Sequence, residues 1–229
     1  MIRTRAIFIL FLISIAHLAF GQFTYIDKTY DFGNGDQHAE VLGQILSEDN
    51  AGWYFIGSSY YLANSISHAI LVQTDEFGDT MAVFKYNETD KQYQALSFIN
   101  TSDGGFAIGA HYDDNLTGNR DAAIIKVDPQ LQLEFTENYG DTLNREKVFH
   151  ITETLDKGFA MSGQWVESNS DSAEMFLIKT DSLGNLEWNR KYGGSVSFES
   201  AHSHIQTPDS GYLVLGWTQS FGAGGVDAY

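Results

Sequence analysis

Two histidines, His202 and His204, are the residues whose type and spacing most resemble a ligand set in this 229-residue sequence. At i and i+2 of a strand they share one face, and imidazole is the commonest metal ligand. A metal ion or an anionic ligand is the chemistry such a pair could serve. The alternative is a pair of hydrogen-bonded, partly buried histidines standing where neighbouring segments carry apolar residues. The sequence places no third ligand beside them.

A second cluster is rich in oxygen: Asp113, Asp114, Asn115, Asn119 and Asp121. Such loops can hold Ca²⁺. Asp113 and Asn115 open a calcium-loop pattern, but its twelfth position is Ile124 rather than Glu, so a solvated loop is the competing reading. No cofactor is implied beyond this calcium option.

Other chemistries fall away. The chain has no Cys, which removes disulfides, thiolate zinc sites and cysteine nucleophiles. No Gly-x-Ser-x-Gly elbow, P-loop or dinucleotide fingerprint occurs. A glycosidase needs two carboxylates flanking the bond it cleaves. Among 30 acidic residues pairs are unavoidable, and none stands out. The formal charge of −17 opposes nucleic acid and anionic lipid as partners.

The elements that must position these residues repeat every 53 positions. Gly52, Gly105, Gly158 and Gly211 keep that spacing, each followed by an aromatic: Trp53, Phe106, Phe159 and Tyr212. Small residues recur at Gly57, Ala110, Gly163 and Gly216. Asp75, Asp128 and Asp181 keep the register, as do Tyr86, Tyr139 and Tyr192. The aspartates are expected to order turns by side-chain bonds to the backbone.

Each repeat reads as four short strands bounded by Gly, Asn and Asp. In the third they are expected near Val148–Thr154, Gly158–Gly163, Glu174–Thr180 and Leu186–Tyr192. No stretch of the mature chain has a convincing helical period. Four strands per unit at this period predict an all-β β-propeller of four-stranded blades. An open solenoid or tandem sandwich is the alternative. The units run 34–86, 87–139 and 140–192, with 193–229 incomplete, about three and two-thirds blades. Tyr229 falls in register with Phe176, inside an expected third strand, so the chain reads as a fragment. Phe23 to Gly33 is expected as a fourth strand of the closing blade.

Residues 1–21 read as a signal peptide: Arg3 and Arg5, an apolar centre from Ile7 to Ile15, then Ala19-Phe20-Gly21. The run is short for a membrane span of about 20 residues; a retained anchor helix is the alternative. Without Arg3 and Arg5 the balance is 11 basic against 30 acidic residues, or −19. The mature chain, 22–229, is thus expected to be secreted, at the cell surface or in the periplasm, with no membrane span after cleavage.

The repeat resembles the β-propeller repeats of exported Bacteroidetes-type proteins associated with type IX secretion. The resemblance rests on Thr101-Ser102-Asp103-Gly104-Gly105-Phe106, on the run from Leu177 through Asp181, Gly184-Asn185 and Trp188, and on Tyr192-Gly193-Gly194. The fourth unit adds Ser220 to Tyr229. Unit one departs most, with Ala82 where Phe135 and Trp188 stand. The resemblance implies a surface or secreted architecture and brings no catalytic residues. The function expected is a binding or scaffold module for a glycan or extracellular protein, with Tyr60, Tyr61 and Tyr112 as exposed loop aromatics. The alternative is the propeller part of a secreted polysaccharide- or peptide-degrading enzyme whose catalytic region is absent or unrecognised.

Overall fold

The computed structural model describes residues 37–40, 45–48, 52–61, 66–86, 92–114, 118–140, 144–167, 172–193 and 198–229. Residues 1–21, expected above as a signal peptide, the segment 23–33 and Asn115 lie outside the described residues.

The protein is all-β, with no helix among the described residues. Unit one holds β1 (Gln37–Glu40) and β2 (Ile45–Glu48), both paired with β3 (Gly52–Tyr61), then β4 (Ile66–Thr74) and β5 (Thr80–Tyr86). Unit two is the antiparallel meander β6 (Gln92–Asn100), β7 (Phe106–Asp114), β8 (Asn119–Val127) and β9 (Leu133–Tyr139). Unit three repeats it as β10 (Asn144–Glu153), β11 (Phe159–Glu167), β12 (Ala173–Thr180) and β13 (Leu186–Tyr192). Unit four shows β14 (Glu199–Gln206), β15 (Tyr212–Thr218) and the short β16 (Asp227–Ala228).

Each unit's first strand lies on the sheet before it. β6 packs on β3 and β4, β10 on β6 and β7, and β14 on β10, β11 and β12. One parallel pairing, Arg145 with Arg120, ties β10 to β8. Apolar residues close the interfaces between units one and two and between units two and three. Between units two and three the core includes Ala122, Ile124, Tyr139, Phe159, Met161 and Phe176. Each fully buried large apolar side chain contributes about 1.5–3 kcal/mol.

The third and fourth strands of unit three fall within a residue of their expected bounds. The second runs to Glu167, past the expected stop at Gly163. The cause is a β-bulge in the facing strand, where the register of β10 shifts between Val148 and His150. A Cβ on Gly163 would stand 1.9 Å from the Lys147 carbonyl oxygen, and one on Gly216 would stand 2.0 Å from that of Ser200. The glycine therefore admits a close backbone approach in mid-strand rather than ending the strand.

The turns form as the aspartates predict. Asp128 Oδ1 accepts from the amides of Gln130 and Gln132, both at 2.8 Å. Asp181 does the same with Leu183 and Asn185, and Asp75 with Phe77 and Asp79. The Asp128 and Asp181 turns then receive the tyrosine of the preceding unit. Tyr86 donates its hydroxyl to the Leu131 carbonyl at 3.1 Å, and Tyr139 donates to the Gly184 carbonyl at 2.6 Å. Leu131 and Gly184 both have positive φ, 61° and 83°, which turns the carbonyl toward the tyrosine's unit.

Candidate functional site

The bulge recurs in the first strands of units two, three and four, leaving Leu96, Phe149 and His202 as the extra residues. These three are 53 apart. Phe149 and His202 stack across the interface, ring centres 4.8 Å apart and planes 14° from parallel. The Lys147 ammonium sits over the Phe149 ring at 5.2 Å. A row of bulged side chains thus passes from unit to unit along the first strands.

His202 and His204 do not form a joint ligand set. Strict alternation fails at the bulge, which occupies His202 itself. His202 is exposed, and its Nε2 accepts from Trp217 Nε1 at 2.9 Å. That bond leaves the proton of the neutral ring on Nδ1.

His204 is buried in the apolar register of Phe98 and Ile151. Its Nε2 lies 2.9 Å from Thr152 Oγ1 and its Nδ1 lies 2.8 Å from Ser162 Oγ. His150 Nδ1 is 3.4 Å from His204 Nδ1 and accepts from the His204 amide at 3.3 Å. A neutral imidazole between two hydroxyls can donate to one and accept from the other, so the cluster is satisfied without charge. Burial first, then the His150 charge, holds His204 down to about 3. Burial also lowers His150. The histidine pair is an interface fitting between units three and four.

The oxygen-rich cluster also resolves differently. Asp113 and Asp121 lie in β7 and β8, not in a loop, because the hairpin extends past them. Arg120 Nε donates to Asp113 Oδ1 at 2.6 Å, and Gln94 Nε2 donates to Oδ2 at 3.0 Å. Both oxygens of Asp113 are thereby engaged by cationic or amide donors, which opposes a calcium role. No group of three or more His, Asp or Glu side chains that could hold a metal occurs among the described residues. Tyr60, Tyr61 and Tyr112 likewise lie in strands β3 and β7 rather than loops. Tyr112 is half-buried, with its ring centre 5.6 Å from that of Tyr93.

Two features escape a reading of single residues. Lys126 and Lys179 are buried with ammonium groups held by carboxylates: Asp103 and Glu134 at 2.8 Å, Asp156 and Glu187 at 2.9 Å. Burial pushes Asp103 up, yet the bond from Lys126 prevails and leaves it at about 2. Thr154 and Lys179 together hold Asp156 at about 2. In unit one the register carries Gln73 and Met81 instead, and Gln73 Nε2 donates to the Tyr54 hydroxyl. The joint loss of Lys and Glu in one repeat was the signal available in the sequence.

The second feature is an open groove of about 540 Å³ between units three and four. It is lined by Met175, Leu177, Trp188, Arg190, Tyr192, Tyr212, Val214 and Tyr229 among others. Trp188 and Tyr212 meet edge to face at 5.6 Å. Among the described residues no helix is long and apolar enough to cross a membrane. No family model matches the chain, and neither does any curated protein.

Proposed function

We propose that this chain is a secreted or cell-surface binding or scaffold module built as a β-propeller of four-stranded blades. One observation carries the reading: successive units meet through the same contacts at the same register. Tyrosine-to-turn bonds join Tyr86 to Leu131 and Tyr139 to Gly184. Near the opposite strand ends, Ser102 donates to the Glu153 carboxylate and the Leu155 amide donates to Gln206 Oε1. A constant step between units supports blades stacked about an axis, an arrangement in which the bulged first strands would lie innermost. Export rests on the leader reading of residues 1–21. A rigid exported scaffold with an acidic surface suits recognition of a glycan or an extracellular protein.

Glycan and surface-protein arrays probed with the refolded protein test the reading. Saturable binding to one class supports it. Silence on both arrays, together with turnover of a polysaccharide or peptide, overturns it in favour of a secreted degradative enzyme.

A further inference from the structure

We propose that a cavity between units two and three is a binding site for an alkylammonium group, a primary amine cation on a short aliphatic stem. The cavity has a volume of about 390 Å³, within the range of small-ligand sites. One wall is the end of β9, with Glu137 and Tyr139. The other is the face of unit three, with Glu146, Trp165, Phe176 and Lys191. Both walls belong to complete four-stranded meanders.

The cavity lies where the repeat departs from itself. One interface earlier the equivalents of Glu146, Trp165 and Lys191 are Tyr93, Tyr112 and Asn138. Those three fill their place with neutral contacts. The Tyr93 and Tyr112 rings lie 5.6 Å apart, and Asn138 Nδ2 donates to the Tyr93 hydroxyl at 3.3 Å. Tyr93 is fully buried. Between units two and three a carboxylate, an indole and an ammonium take the same positions. Glu146 is in cross-strand register with Trp165 and is itself buried.

The chain supplies a copy of the occupant. The Lys191 ammonium sits 3.0 Å from the centre of the Trp165 ring. An indole face is the best aromatic partner for a cation. With an ammonium on it, that face is closed to a sugar ring, and Glu137 and Glu146 oppose an anion. The net charge of −17 raises the local concentration of cations. Lys191 is exposed, on the edge strand β13. Its long stem can swing away, so an incoming alkylammonium takes its place against the aromatic wall. The exchange costs one exposed cation–π contact, about two- to fivefold in affinity. The cavity stands on its own contacts, so silence of the arrays leaves it untouched.

The test uses the full chain, isotopically labelled at nitrogen, and follows the Trp165 indole resonance by NMR, assigned by its loss in Trp165→Phe. At neutral pH n-butylammonium is expected to shift that resonance saturably. n-Butanol, the same stem without the charge, is expected to leave it in place. Lys191→Ala alters only an exposed side chain and is expected to tighten binding about two- to fivefold, because the resident cation is gone. Glu146→Gln keeps the shape of the carboxylate and is expected to weaken binding about tenfold; the dispersion of the amide spectrum confirms its fold. Nα-acetyl-lysine amide separates the sources of the cation. Tighter binding than butylammonium makes the ligand a lysine side chain of a protein, and weaker binding makes it a free amine. Absence of a saturable shift in both the parent chain and Lys191→Ala overturns the proposal. An equal response to butanol overturns it as well, since the cavity is then merely apolar, and so does binding indifferent to Lys191→Ala.

Discussion

The Tyr139 hydroxyl donates to the Gly184 carbonyl at 2.6 Å, 45 residues away and one unit on. Tyr86 and Leu131 make the same bond one unit earlier. Both phenols are pushed well above their ordinary pKa: Tyr86 by burial and then the Asp128 charge, Tyr139 by burial and then the Glu137 and Asp181 charges. Neutral donors inside an interface are the result. Tyr139→Phe is expected to cost about 1–1.5 kcal/mol by denaturant unfolding, because it strands a buried carbonyl. Tyr192→Phe, at the equivalent but exposed position, is expected to cost almost nothing. Equal effects at the two positions would contradict the account.

The bulge makes a second prediction. Gly163 faces the Lys147 carbonyl so closely that a methyl group requires the backbone to move. Gly163→Ala is expected to lose about 3 kcal/mol, the upper end of overpacking costs. Ala110→Gly, at the same register in unit two, is expected to lose about 1.5 kcal/mol, from chain entropy and from the loss of a methyl buried in the core between units one and two. Urea titration measures both. A mild effect at Gly163 would mean the bulge is not where the register shift puts it.

The buried histidines make stability depend on pH. Above about pH 6.5 His204 is neutral in both folded and unfolded chains. As pH falls below that value the unfolded chain takes up a proton that folded His204, held down to about 3, does not. Stability therefore declines as pH falls through this window, by ~1.4 kcal/mol per pH unit for one proton. His204→Phe restores the residue type found at Phe98. It is expected to reduce the slope of unfolding free energy between about pH 4.5 and 6.5 by close to one proton. The carboxylates at Asp103 and Asp156 titrate below that range. An unchanged slope would show that His204 is already protonated in the fold.

Much of this was legible because the repeat writes each structural demand three or four times. The Asp turns, the Tyr series and the third and fourth strands follow from spacing and turn chemistry. That His202 and His204 part company is not legible in the sequence, because alternation assumes an unbroken ladder and a bulge is invisible in one strand's sequence. The end of β11 was misplaced for the same reason, since Gly163 answers a carbonyl in another strand. Lys126 and Lys179 are single charges within apolar strands. Only their pairing with Asp103 and Asp156 in turns and with Glu134 and Glu187 on the neighbouring strands shows why they are buried. The candidate calcium residue Asp113 depended on whether Arg120 would reach it, a question of hairpin register rather than composition.

The stacking of equivalent first strands is the centre of the account, and the absence of native Cys allows it to be probed cleanly. Phe149→Cys with His202→Cys places thiols at two bulges whose rings now stack at 4.8 Å. Treatment of the folded double variant with a short bismaleimide, followed by peptide mass mapping, measures whether they are neighbours. The account predicts efficient cross-linking for this pair, and for Leu96→Cys with Phe149→Cys, but none for Leu96→Cys with His202→Cys. Failure of the Phe149–His202 pair, or cross-linking of 96 to 202 that bypasses the unit between them, would contradict it.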